Sequence, residues 1–209
     1  MYKRVLVLSP HTDDGELGAG GFISKLISEG SEVFYIAFSA AEKSVPEGLP
    51  KDILRSEVKK ATSVLGIKEE NVFVLDYDVR TFSERRQEIL EDMIRFRDKL
   101  NPDLVLLPLM HDIHQDHNAI AQESVRAFKG TTMLSYELPW NNLTFDTVCF
   151  VKLSKENLET KVKALSCYES QNHRYYFDRD FIYALAKVRG IQVGCQLAET
   201  FEVVRYIID

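Results

Sequence analysis

Val5-Leu6-Val7-Leu8-Ser9-Pro10-His11-Thr12-Asp13-Asp14-Gly15-Glu16-Leu17-Gly18 opens the chain on an apolar run followed by a histidine and two adjacent aspartates. The run Val5–Leu8 is short, built from valine and leucine, and closed by Pro10, which are the marks of a buried strand. Such a strand delivers His11, Asp13 and Asp14 to its C-terminal end, the edge of an open α/β sheet where ligands bind. The arrangement returns about a hundred residues later, where Asp103-Leu104-Val105-Leu106-Leu107-Pro108 precedes His111-Asp112-Ile113-His114-Gln115-Asp116-His117. Two hydrophobic strands that each end in a His/Asp cluster predict one divided metal site.

Outward from these segments, strand and helix patterns alternate. Strands are expected near Glu32–Ser39, Val72–Leu75, Thr131–Tyr136, Thr147–Lys152 and Glu199–Ile208. Helices are expected between them, with Gly30 and Gly66 as C-terminal signals and Ser83 as the cap of a charged helix that runs to Asn101-Pro102. Alternation of this kind implies an α/β fold: a Rossmann-like, doubly wound, mostly parallel sheet in a single domain over residues 1–209. A strand order of 3-2-1-4-5 would set the first and fourth strands side by side and bring His11, Asp13 and Asp14 against His114 and His117.

Composition removes several function classes. The chain has 209 residues, 45% hydrophobic and 28% charged, with a net charge of −6. An acidic chain argues against a nucleic-acid partner. No stretch approaches the ~20 apolar residues of a membrane span. Met1–Arg4 carries no hydrophobic leader, and Cys149, Cys167 and Cys195 are widely spaced, so free thiols and a cytoplasmic location are expected.

Imidazole nitrogen and carboxylate oxygen suit Zn²⁺, and three protein ligands with an open position mark a catalytic centre. His11 and Asp14, three apart on a turn, can converge on one ion, and His117 would complete the set. Four of the five histidines fall in the two segments. Asp13 reads as a general base toward an attacking water or as a helix N-cap. Asp116 reads as a carboxylate that orients an imidazole or, again, as an N-cap. Gly15, Gly18, Gly20 and Gly21 do not match the dinucleotide fingerprint, because Leu17 and Ile23 stand where it requires small residues; tight helix–strand packing explains them better. Trp140, after the fifth strand, reads either as a sugar-stacking face or as core. Arg80, Arg174 and Arg189 are candidate contacts to anions or hydroxyls. The loops 40–50, 78–82 and 136–142 are expected to overhang the metal edge.

The segments His11-Thr12-Asp13-Asp14-Gly15-Glu16-Leu17-Gly18-Ala19-Gly20-Gly21 and His114-Gln115-Asp116-His117 resemble the paired signatures of the PIG-L/LmbE-like zinc-dependent N-acetylglucosaminyl deacetylases. The resemblance extends to Arg55-Ser56-Glu57, Asn101-Pro102-Asp103 and Tyr168-Glu169-Ser170-Gln171; Thr12 departs from the usual Pro or Ala at a position that is not a ligand. It implies zinc ligands at His11, Asp14 and His117, a base at Asp13, and a role for His114 in stabilising the oxyanion or protonating the leaving amine. It also implies an N-acetylated sugar substrate and a possible homo-oligomer, a trimer or hexamer. Two other readings stand beside it: a sugar- or metal-binding module without catalysis, and a metal-dependent phosphoesterase that would use Asp112 and Asp116 for a second ion.

Overall fold

Strand β1 (Arg4–Ser9) is apolar on both faces, and that places it inside the sheet rather than at its edge. Val5 and Val7 point into one core and Leu6 and Leu8 into the other, all of them fully buried. The structure, a computed structural model, describes residues 2–208; Met1 and Asp209, the ends of the expected domain span, lie outside the described residues. The elements that follow are α1 (Asp14–Ser28), β2 (Glu32–Ala37), α2 (Ile53–Leu65), β3 (Val72–Val74), α3 (Arg86–Leu100), β4 (Leu104–Leu107) and α4 (Gln115–Ala127). The chain continues through β5 (Thr132–Tyr136), β6 (Cys149–Lys152), α5 (Lys155–Leu165), α6 (Arg179–Gln192) and β7 (Ala198–Arg205).

The seven strands form one sheet in the order β3-β2-β1-β4-β5-β7-β6. Strands β1 to β5 are parallel, and β1 lies against β4 in the register Val5↔Leu104 to Val7↔Leu106. The doubly wound, mostly parallel α/β fold expected from the alternation is therefore the observed one, with its order reversing between β1 and β4. The closing strand β7 inserts between β5 and β6, antiparallel to both. Helices α1, α2, α5 and α6 cover one face, and α3 and α4 the other. No helix among the described residues is long and apolar enough to cross a membrane.

Two local expectations change. The charged helix begins at Arg86, after a 3-10 turn over Phe82–Glu84, and Ser83 does not cap it. Fully buried Phe82 accounts for the break: its backbone N–H points to Asp116 Oδ1 at 3.4 Å instead of entering a helix. The C-terminal signals hold, with Gly66 at φ +93° closing α2.

The glycines of α1 are packing glycines. A Cβ on Gly18 would overlap the ring of Tyr136, whose hydroxyl donates to the Leu8 carbonyl at 3.0 Å. At Gly21 the backbone N–H donates 2.9 Å to Glu199 of β7, and Phe22 N–H donates 2.7 Å to the same carboxylate. Glu199 is buried, and Lys161 Nζ at 2.7 Å supplies its counter-charge. Gly18→Ala is therefore expected to cost about 1–3 kcal/mol, the usual effect of overpacking. Urea unfolding measures this, and an unchanged midpoint would mean that Tyr136 moves aside freely.

Candidate metal centre and substrate cleft

His11 leaves β1 on a turn that its own backbone closes, since its N–H donates to Asp14 Oδ2 at 2.8 Å. Helix α1 begins at Asp14, and Asp13 occupies the cap position without a capping hydrogen bond from its side chain. The Asp13 carboxylate lines the cleft instead. After β4, His114 caps α4: its Nδ1 accepts the Asp116 backbone N–H at 3.2 Å. Asp116 is thus not the cap, and one turn into the helix His117 points back toward β1.

These side chains form a continuous line of alternating charge. Asp112 Oδ2 lies 2.9 Å from His117 Nδ1, and His117 Nε2 lies 3.2 Å from Asp14 Oδ2. Asp14 Oδ2 is 3.3 Å from His11 Nδ1, and His11 Nε2 is 3.1 Å from Asp116 Oδ2. Each imidazole therefore turns one nitrogen to the centre and the other to a buried carboxylate, the usual support for a metal-ligating histidine. His11 Nδ1 and His117 Nε2 are 3.3 Å apart. The three inner atoms thus make a nearly equilateral triangle, and a tetrahedral ion with ~2.0–2.1 Å bonds spans ligand edges of about 3.3 Å. The donor set fits a divalent cation. His114 lies beside it, within a wider three-histidine group whose ligand atoms fall within 4.8 Å of one another.

The electrostatics follow from burial and pairing. Burial alone would discharge His117, but Asp14 and Asp112 outweigh it and raise its pKa to about 10. Burial likewise opposes the charge on Asp14, and the two imidazoles overcome it and hold the carboxyl well below its ordinary range. His114 goes the other way: burial, then the neighbouring His117 and His11, depress it to about 4, so its ring is neutral at neutral pH. Asp13 is pushed up to about 6 by burial and by the adjacent Asp14 charge. Behind the turn, burial lifts Glu16 to about 8 despite the Tyr35 and Tyr168 hydroxyls that contact it.

The centre forms the floor of a cleft of about 280 Å³. One wall comes from the loops after β2 and β3, with Ser44, Val79 and Arg80. The other comes from Trp140 and Asn141 after β5 and from Gln171, Arg174 and Tyr176 after α5. The three loops expected at the metal edge all reach it, and the segment after α5 joins them. Trp140 is both core-packed and cleft-lining, stacked on Tyr176 with centroids 4.1 Å apart and planes at 10°. Arg80 and Arg174 line the cleft, whereas Arg189 does not; it is bound to buried Glu137. Asp112 was singled out only for a second ion, and it serves here as the carboxylate behind His117. Its place five residues before that histidine is the one trace of this role in the sequence.

Fold and side-chain cluster together define an α/β protein with a candidate cation site at the point where strand order reverses. Residues 6–128, which include both motif segments, match the family described as GlcNAc-PI de-N-acetylase (PIG-L), and the chain belongs to that family. It is 26% identical over 173 residues to the uncharacterized deacetylase YaiS of Escherichia coli, covering 80% of this chain and 91% of that protein. It is 30% identical over 138 residues to a probable N-acetyl-alpha-D-glucosaminyl L-malate deacetylase 2 of Bacillus cereus, covering 61% of each, so the match leaves more than a third of that relative unspanned. The solved N,N'-diacetylchitobiose deacetylase of Pyrococcus horikoshii superposes with a TM-score of 0.82 at 23% identity, over 97% of this chain and 84% of that one; at this identity the likeness is one of fold.

Metal-ligating histidines must be neutral, and His117 is protonated in the metal-free protein at neutral pH because its pKa stands near 10. Cation binding at pH 7 should therefore release about one proton or more. Calorimetric titration in buffers of different ionisation enthalpy measures that number. Asp112→Asn should lower cation affinity about 10–100-fold; unchanged affinity would show that Asp112 does not orient His117.

Proposed function

We propose that the protein is a zinc-dependent amide hydrolase that removes the N-acetyl group from an N-acetylglucosamine-type sugar conjugate, releasing acetate and a free amine. The observation that carries the reading is the close triangle of His11, Asp14 and His117 beside two uncommitted groups, the Asp13 carboxylate and the outer nitrogen of His114. The names of the relatives point to the same reaction class. Two nitrogens and one oxygen in tetrahedral spacing suit Zn²⁺ over harder, octahedral ions. When bound, zinc acts as a Lewis acid toward an amide carbonyl and makes water acidic enough to attack near neutral pH.

Asp13 is the general base in this reading. It has no capping duty, it faces the cleft, and a raised pKa brings it close to the proton it must accept. His114 is the oxyanion or leaving-group donor. Its Nδ1 is occupied as the acceptor of the Asp116 N–H, so the single proton of the neutral ring belongs on Nε2. A donor locked in one tautomer and aimed at the reacting carbonyl stabilises charge that develops only in the transition state. Asp116 is a positioning residue, with its side chain on His11 and its backbone on His114. Arg80 and Trp140 are substrate contacts on the two walls.

A two-ion phosphoesterase is disfavoured, because Asp112 and Asp116 are already engaged by the outer nitrogens of His117 and His11. A binding module without catalysis would leave the placement of Asp13 without a purpose.

Acetate release from N-acetylglucosamine conjugates, abolished by a chelator and restored by zinc, tests the reaction. Asp13→Asn should keep the metal and lose on the order of 10²–10⁴-fold in kcat, while Asp14→Asn should weaken metal binding; the opposite pattern would exchange their roles. The base form of Asp13 is required, and a bound cation lowers its pKa, so activity should fall with acid along a limb below about pH 6. His114→Ala should retain zinc and lose about 10²–10³-fold in kcat with little change in substrate affinity. Loss of zinc in that variant would make His114 a ligand.

A further inference from the structure

Asp13 is aimed by its backbone. Its carboxylate makes no capping hydrogen bond, and it lines the cleft from the residue just before α1. The two peptide carbonyls that precede it are both held from behind. The Tyr168 hydroxyl lies 2.6 Å and the Tyr35 hydroxyl 3.0 Å from the Thr12 carbonyl. The Ser9 hydroxyl donates to the His11 carbonyl and accepts the Gly15 N–H at 3.0 Å. Ser9 Oγ is also 2.9 Å from the Tyr35 hydroxyl. The Glu16 carboxyl bridges the two phenols, with one oxygen 2.8 Å from Tyr168 and the other in contact with Tyr35.

These four side chains come from β1, β2, α1 and the segment after α5, and all are fully buried. None of them lines the cleft. Packing alone does not call for their oxygens. Phenylalanine at positions 35 and 168 would fill nearly the same volume without a buried hydroxyl that must be paired. The turn also makes room for the phenol: a Cβ on Gly15 would lie 2.7 Å from the Tyr35 ring and 2.8 Å from its hydroxyl. Residue 15 therefore has to lack a side chain for Tyr35 to reach the Thr12 carbonyl.

We infer that Glu16, Tyr35 and Tyr168, together with Ser9, form a bracket that positions Asp13 to take the proton of the attacking water. They are positioning residues, which act through the Thr12–Asp13 peptide and touch neither substrate nor cation. The inference rests on the deacetylase reading above and adds to it a set of residues that reading leaves idle. A general base must sit within hydrogen-bond reach of its proton, and a displacement of about 1 Å caused by a remote change can cost on the order of 10²-fold in rate. The ligating imidazoles are secured separately, His11 by Asp116 and His117 by Asp112. Loss of the bracket should therefore fall on the base rather than on the metal.

Tyr168→Phe and Tyr35→Phe each remove one hydroxyl and leave the other on the Thr12 carbonyl. Acetate release is measured on the N-acetylglucosamine conjugate that the unsubstituted, zinc-loaded protein turns over fastest. Tyr168→Phe should lose about 10–100-fold in kcat, with KM and zinc affinity unchanged, and Tyr35→Phe should change in the same direction. The urea midpoint monitors folding. Tyr168→Phe made in an Asp13→Asn chain separates positioning from plain structural support. With the base gone there is nothing left to aim, so the two losses should not multiply, whereas a merely structural hydroxyl costs the same factor in either chain. Losses that multiply, an unchanged kcat in both phenylalanine variants, or weakened zinc binding with the kcat of the loaded protein intact would each overturn the bracket and leave the deacetylase reading standing. If no conjugate releases acetate, the deacetylase reading fails, and nitrogen-15 relaxation of the Asp13 amide in the zinc-loaded protein decides the bracket separately. A fall of the order parameter from about 0.85 to below about 0.6 in Tyr168→Phe supports it, and an unchanged value overturns it.

Discussion

Three buried carboxylates and two imidazoles share a single line of contacts, Asp112–His117–Asp14–His11–Asp116. Even with both rings protonated, the line carries more negative than positive charge, and Asp13 adds another acid beside it. Buried charge of one sign is costly unless it is paired or coordinates an ion. A divalent cation at the inner triangle relieves that excess, so the centre is organised around a charge that the chain itself does not supply. The sheet makes the arrangement possible. Residues 11–14 and 112–117 meet only because β1 and β4 are parallel neighbours and both run out at the same edge.

Much of this could be read before any coordinates. The apolar runs Val5–Leu8 and Leu104–Leu107 identify buried parallel strands on their own, and the chemistry sits at their ends. The spacing His11/Asp14 and His114/His117 pointed to one shared cluster, and the structure brings these side chains together. What escaped reading depends on long-range packing. Helix α3 starts late because Phe82 is drawn into the core and its amide toward Asp116, which the cap signal at Ser83 could not reveal. The insertion of β7 between β5 and β6 follows from antiparallel pairing that local periodicity does not encode. Asp112 looked like a further ligand because its partner, His117 Nδ1, is defined only once α4 is built. Arg174 was a candidate contact from the sequence, but that Gln171 and Tyr176 join it on the cleft wall is visible only in the folded segment after α5.

Division of labour within the cleft follows the division of the fold. The floor belongs to two strand ends and is braced from behind: the Tyr168 hydroxyl lies 2.6 Å and the Tyr35 hydroxyl 3.0 Å from the Thr12 carbonyl, with Glu16 between them. The walls belong to connecting segments, whose sequences are less constrained by the core. A rigid floor under adaptable walls suits one bond-breaking event applied to many conjugates.

The Asp116 carboxylate breaks that separation. It is the counter-ion of His11 on the floor, and it also anchors the Arg80 turn on the wall. A change in the loop after β3 that moves the Arg80 amide therefore alters the hydrogen bonding of the group that orients a ligand. Substitutions that displace the Arg80 amide therefore reach the His11 imidazole through a single shared carboxylate. The opposite wall is tied to the floor as well, because the Ile113 N–H between Asp112 and His114 donates to the Asn141 carbonyl at 3.2 Å, so both walls reach the centre through hydrogen bonds.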